Sequence, residues 1–289
     1  MAWAPHPEGM IETQALIGEV QGVLLRAARP SGLGVVVLSG SSGRVDVDRA
    51  RLFADRGAVA LAQKWWGGPG QAPGINEIPL EVFVRALDRL QAEGCTRFAV
   101  VGASKGAEAC LLAATKDARI DLVVAISPAH VVWQNIGPGL DGAAWPPRSS
   151  FAWEGRGLPF IAYDPRAWPA SGLRPAYRPL HEKSLRTFAD DISAAVIPVE
   201  TMNATAILVA GGADLLWPSD TAARDIADRL TASGGRVRLV EHPEAGHSPI
   251  LPGEPALPEP EERAWGGSRA ADRALGAAAW AAIDAWLAS

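Results

Sequence analysis

The chain has 289 residues, 48% apolar and 20% charged, which is the composition of a folded globular protein and not of a disordered one. Its formal charge of −5 argues against duplex nucleic acid as a partner, since that calls for a basic surplus. The apolar runs are too short for a membrane span, and the opening MAWAPHPEGMIE lacks the basic and apolar regions of a signal peptide. Two cysteines, Cys95 and Cys110, form neither a disulfide framework nor a metal-ligand spacing, so a reducing cytoplasm is the expected location.

Ala15–Ala27 reads as an antiparallel hairpin at a sheet edge. Val-rich runs bounded by Gly, Ser or Pro follow at Gly34–Leu38, Ala58–Leu61, Phe98–Val101, Leu122–Ile126, Ala206–Val209 and Val237–Val240. Such runs suit strands buried on both faces of a parallel sheet. Helices are predicted between them over Val45–Arg56, Pro79–Ala92, Lys105–Lys116 and Asp220–Ala232, the last with Ser219 as N-cap. Arg269–Leu287 reads as a long closing helix. Strand and helix alternating at these lengths predict an α/β fold, a mostly parallel central sheet with helices on both faces.

From Ser127 to about Pro198 the alternation stops. This stretch holds Trp133, Trp145, Trp153, Trp168 and, counting Pro128 and Pro198, ten prolines. A structureless loop of that length is unusual in a compact domain. The whole chain is therefore read as one domain, residues 1–289, with an insertion over about 128–198 that covers one end of the sheet.

The segment Phe98-Ala-Val-Val-Gly102-Ala-Ser104-Lys105-Gly106-Ala-Glu108 runs from a strand through Gly-x-Ser-x-Gly into a helix. This is the nucleophile elbow of the α/β-hydrolases, which holds a serine exposed at the strand's carboxyl end. A serine hydroxyl needs a general base, and the base needs an orienting acid. In this fold the chain order is Ser, acid, His. Asp214 follows the run Ala206–Gly212, and His247 follows the strand at Val237–Val240, so all three project from one sheet edge. Of the other histidines, His6 lies near the terminus, His181 in the insertion and His242 close to a strand end. His130 follows a strand and has the position of a cleft-lining residue. The oxyanion donors expected are the amides of Lys105 and of Ser41, which follows Gly40 in the loop after the strand Gly34–Leu38.

These residues fall within a broader set. Gly102-Ala-Ser-Lys-Gly-Ala-Glu108, Ile197-Pro-Val-Glu200, Gly211-Gly-Ala-Asp-Leu-Leu-Trp-Pro-Ser219, Ala245-Gly-His247 and Trp265-Gly-Gly267 together resemble the carboxyl-terminal catalytic domain shared by acyl-CoA thioesterases and the bile acid-CoA:amino acid N-acyltransferase. The segment Ser149-Ser-Phe-Ala-Trp-Glu-Gly-Arg-Gly-Leu-Pro-Phe160 looks like that family's lid. The resemblance runs from about residue 12 to the end. It implies a dienelactone-hydrolase-like α/β-hydrolase with Ser104 as nucleophile, Asp214 as acid and His247 as base. The chain departs from the pattern at Ala213, where relatives often have a second acid, and at Ser42, where glycine is usual. The eukaryotic enzymes carry a β-sandwich domain before the catalytic one, for which these 289 residues are expected to leave no room.

The resemblance implies a thioesterase acting on acyl-CoA or a carrier-bound acyl group. Family members that transfer the acyl group to an amine use cysteine, so Ser104 favours hydrolysis. A carboxylesterase or lactonase, or a biosynthetic acyltransferase, using the same three residues is the alternative; a binding module that kept the fold without the chemistry is a third. The chemistry requires no metal and no cofactor. Gly40, Trp133, Trp153 and Trp217 are expected to meet substrate. The seven basic residues Arg148, Arg156, Arg166, Arg174, Arg178, Lys183 and Arg186 outnumber Glu154, Asp164 and Glu182, a candidate basic rim for coenzyme A phosphates.

Overall fold

A computed structural model describes residues 11–170, 172 and 174–289; His6 lies outside them. Its elements begin with β1 (Glu12–Leu16), β2 (Gln21–Arg26), β3 (Leu33–Leu38), α1 (Val47–Ala54), β4 (Val59–Lys64), β5 (Ile78–Pro79) and α2 (Glu81–Ala92). They continue with β6 (Arg97–Ala103), α3 (Lys105–Ala114), β7 (Ile120–Ile126), β8 (Phe151–Trp153), β9 (Arg156–Gly157), α4 (Arg178–Thr187) and α5 (Ile192–Ala195). The chain closes with β10 (Thr205–Gly211), α6 (Ser219–Ala232), β11 (Val237–His242) and α7 (Arg269–Leu287).

Eight strands form one sheet in the order β1-β2-β4-β3-β6-β7-β10-β11. The β1–β2 and β2–β4 pairs are antiparallel and every other neighbour is parallel, so the predicted hairpin is found at the edge. Alternation along β3 shows why both faces must be covered. Val35 and Val37 pack with Phe53 of α1 and with Leu275 and Ile283 of α7. Val36 and Leu38 point the other way, into a core shared with Phe83 and Leu87 of α2, Leu111 of α3 and Ile226 of α6. Each such fully buried aliphatic or aromatic side chain contributes about 1.5–3 kcal/mol relative to its exposed form. Among the described residues no helix is long and apolar enough to cross a membrane.

The long stretch between β7 and β10 contributes no strand to this sheet. It carries more regular structure than its sequence suggests: β8 and β9 build a small three-stranded sheet with β5, and α4 and α5 follow. Its own apolar cluster includes Val131, Trp133, Ile161 and Ala195, and takes in Trp217 from the loop after β10. The insertion therefore lies against the carboxyl edge of the sheet. Ser219 differs from expectation. It is the first residue of α6, with Pro218 before it, and makes no cap; its hydroxyl is used elsewhere.

Candidate active site

The parallel strands deliver their following loops to one edge, where ligands bind in open α/β sheets. Ser104 stands between β6 and α3 with φ 57° and ψ −122°, a region that β-carbon sterics make costly for any residue but glycine. The strand and helix flanking it come so close that a Cβ on Gly102 would collide with the Gly106 carbonyl. A Cβ on Gly106 would in turn meet the Leu38 carbonyl at 2.6 Å. The two glycines of the motif thus hold β6, α3 and β3 together around the serine. Its amide donates to the Ile126 carbonyl at 2.9 Å.

Asp214 and His247 come from the loops after β10 and β11. Nδ1 of His247 is 2.8 Å from Oδ2 of Asp214, which is fully buried. The same oxygen accepts the Ser219 hydroxyl at 2.6 Å, while Oδ1 accepts the Leu216 and Trp217 amides at 2.8 and 3.2 Å. Four donors therefore fix the carboxylate, and the carboxylate fixes the imidazole tautomer with its proton on Nδ1. His247 is held from behind as well. Its amide donates to the Trp265 carbonyl at 2.9 Å, and its carbonyl accepts the Ser127 hydroxyl at 2.9 Å. The loops carrying the pair touch main chain to main chain: a Cβ on Gly246 would collide with the Gly266 carbonyl, and Asp214 bridges to Gly266. No hydrogen bond joins Ser104 Oγ to His247 among the described residues.

Gly40 lies against Ser104, where an added Cβ would stand 2.9 Å from the serine Cβ. Beyond it, the loop 39–44 is fixed by Trp65 Nε1 donating to the Ser39 carbonyl and by Lys64 Nζ donating to the Gly43 carbonyl. The Ser41 hydroxyl receives NH1 of Arg263 at 3.2 Å. Among the described residues, neither the Ser41 amide nor the Lys105 amide is engaged by an acceptor.

The tryptophans separate. Trp217 backs the imidazole edge-on at 5.8 Å and donates Nε1 to the Ser127 carbonyl. Trp133 is buried inside the insertion, stacked on Tyr163, and presents no open face. Trp153 departs most from expectation. It lies 5.6 Å from Nζ of Lys116, just past the carboxyl end of α3, so the ten residues of that helix, at about 1.5 Å each, separate it from Ser104. The basic rim is also largely spent: Arg148 pairs with Asp141 and Glu77, Arg166 with Asp164, Arg174 with Glu259, and Arg178 with Glu182 and Asp220. His130 lies close to the charges of Asp225 and Arg229 of α6, and its burial lowers its pKa. Nδ1 of His242 accepts the Glu244 amide.

Several residues around the site carried no signal in the sequence. Ser127, with φ 49°, ties His247 to Trp217. Asp272 of α7 accepts the Gly246 amide at 2.7 Å, and burial raises its pKa despite that bond. His181 of α4 is packed edge-on between Trp133 and Trp217, donates Nδ1 to the Tyr177 carbonyl, and is pushed down to about 4 by burial. Ser219 had a visible signal, since it closes the Trp-Pro-Ser segment, but the position alone could not tell a cap from a carboxylate donor.

Residues 173–288 match the family described as BAAT / Acyl-CoA thioester hydrolase C terminal. The chain is 24% identical to acyl-coenzyme A thioesterase 2, mitochondrial, of Homo sapiens over 97% of its own length and 56% of that protein's. It is 24% identical to acyl-coenzyme A thioesterase 1 of the same organism, again over 97% of its length, and spans 64% of that relative. The chain thus spans a little over half the length of these curated relatives. Among solved structures it is similar to a putative dienelactone hydrolase from Klebsiella pneumoniae, with a TM-score of 0.57, 16% identity, and coverage of 97% of this chain and 98% of that one. The fold is that of the α/β-hydrolases.

Proposed function

From a chain with the α/β-hydrolase fold, related to the acyl-CoA thioesterases and matching their carboxyl-terminal family, we propose a serine hydrolase that cleaves an acyl thioester, bound to coenzyme A or to a carrier. The observation that carries this reading is the Asp214–His247 hydrogen bond of 2.8 Å on the loops beside the Ser104 elbow. With Nδ1 committed to Asp214, the Nε2 lone pair of His247 is the base that takes the Ser104 proton as Oγ attacks the thioester carbonyl. Asp214 then stabilises the imidazolium. This step requires Ser104 Oγ to donate a hydrogen bond to Nε2 of His247.

The negative charge of the tetrahedral intermediate falls to the unengaged amides of Lys105 and Ser41, with the positive end of α3 behind them. The intermediate collapses as the imidazolium of His247 gives its proton to the leaving sulfur, which departs as the thiol and leaves an acyl-serine. Water, deprotonated by His247, attacks the acyl carbon, and His247 hands that proton to Ser104 Oγ as the acid departs. Gly40 keeps the loop close enough for the second donor, and Trp217 backs the imidazole. Arg263 supports an anionic substrate: its guanidinium sits on Ser41, and among the described residues it has no carboxylate partner.

The test is release of free thiol from a panel of acyl-CoAs, with Ser104→Ala as control. Ser104-dependent release supports the reading. Turnover of simple esters or lactones with no Ser104-dependent thiol release would replace the thioesterase by an esterase or lactonase.

A further inference from the structure

Immediately behind the nucleophile lies an ion pair sealed from water. Lys105 is the first residue of α3, and its side chain runs inward, away from the position its amide faces. Nζ donates to Glu108 Oε2 at 2.9 Å and to Ser150 Oγ at 2.8 Å, with the Phe151 ring 5.9 Å away. The Ser150 hydroxyl in turn donates to the Gln134 carbonyl at 2.9 Å. The second oxygen of Glu108 accepts the Trp133 amide at 3.0 Å. The Lys105 and Glu108 side chains are 2% and 0% exposed. Burial lowers the one pKa and raises the other, and each partner opposes the shift of the other.

A buried ion pair is a poor source of stability, because the cost of taking both charges out of water consumes most of their attraction, and apolar groups of the same volume often serve as well. This one has a different property, which is direction. The Lys105 side chain is held at its far end by two acceptors, and the Ser104 carbonyl of the peptide joining the two residues accepts the Ala107 and Glu108 amides at 2.9 and 3.1 Å, so that peptide is held from both sides. All of the outer partners (Trp133, Gln134 and Ser150) belong to the insertion between β7 and β10.

We propose that Lys105 and Glu108 are positioning residues. Resting on the reading of the Lys105 amide as an oxyanion donor, their pair aims that amide and ties its aim to the seating of the insertion through Ser150 and Trp133. The pair touches neither substrate nor the reacting atoms. Its loss is therefore felt in the transition state and not in substrate binding, which means kcat falls while KM holds.

The experiment compares wild type, K105M/E108L and S150A by the rate at which a fluorophosphonate modifies Ser104 and by steady-state hydrolysis of an activated ester, with thermal melting to establish folding. Phosphonylation needs the nucleophile and the oxyanion donors but no particular acyl group. The apolar double variant is expected to melt close to wild type yet react at least about 10-fold more slowly, with KM within about 2-fold. Should that variant not fold, S150A carries the test, with an expected loss in kcat of about 3-fold or more at unchanged KM. A folded K105M/E108L that is phosphonylated at the wild-type rate, or an S150A with wild-type kcat, overturns the inference alone. A wild-type protein that leaves Ser104 unmodified overturns the nucleophile reading and the inference with it.

Discussion

The Ser219 hydroxyl donates to Asp214 at 2.6 Å, on the same carboxylate oxygen that receives His247. Donors surround this buried carboxylate and hold it in place, and hydrogen bonds to charged groups are the strong ones, about 1.5–3 kcal/mol each. In Ser219→Ala the remaining amide donors, Leu216 and Trp217, still orient Oδ1, while Oδ2 keeps His247 alone. Steady-state kinetics should show kcat/KM lower by about 10-fold, with a melting temperature reduced by a few degrees. An unchanged kcat/KM would separate Ser219 from the acid's function.

Asp214→Asn retains the shape of the acid and loses its charge. The amide can present a donor to Nδ1, turning the imidazole to the tautomer whose Nε2 carries the proton and cannot act as base. A loss in kcat of about 10³–10⁴-fold is expected, with the fold intact by circular dichroism. A loss below about 10-fold would mean that His247 does not depend on this carboxylate.

Arg263 places a fixed positive charge on the Ser41 hydroxyl. If it recognises the phosphates of coenzyme A, Arg263→Gln should raise KM for an acyl-CoA by about 5-fold or more and leave that for the corresponding acyl-pantetheine unchanged. Equal effects on both would assign the arginine to holding the loop instead.

His181 couples the fold to pH. Its pKa lies at about 4 in the folded protein against about 6.5 in an unfolded chain, because burial disfavours the charged ring. Between those values the unfolded state binds the extra proton. The stability present above about pH 6.5 is therefore lost as pH falls toward 4, amounting to about 2 kcal/mol between pH 7 and pH 5. Urea titrations at the two values should show this drop in wild type and a smaller one in His181→Gln. Equal slopes would mean that the ring titrates normally.

Much of this architecture is legible from local pattern. The Val-rich runs specify strands because alternate residues, such as Val35 and Val36, each have a core to enter, and Gly-x-Ser-x-Gly specifies the elbow because strand and helix nearly touch there. Asp214 and His247 were readable from chain order and from their places after strands. The insertion was legible in place but not in its internal order. Its strands are two or three residues long, and its order comes from contacts across the chain, Ile78 pairing with Phe151 and Trp133 bonding to Glu108. For the same reason Trp133 and Trp153 could not be placed: composition marks a tryptophan as a large apolar body without saying which core it fills. The role of Ser219 escaped because a helix-start serine and a carboxylate donor occupy the same position.

The loops bearing Asp214 and His247 meet through glycines and main-chain atoms, and Ala213 takes part by its amide, which donates to the Ala245 carbonyl at 2.9 Å. Alignment carried by the backbone is indifferent to most side-chain identity. Positions beside these glycines are thereby released to drift in charge and size, while the aim of Asp214 at His247 survives so long as the spacing of the two loops does.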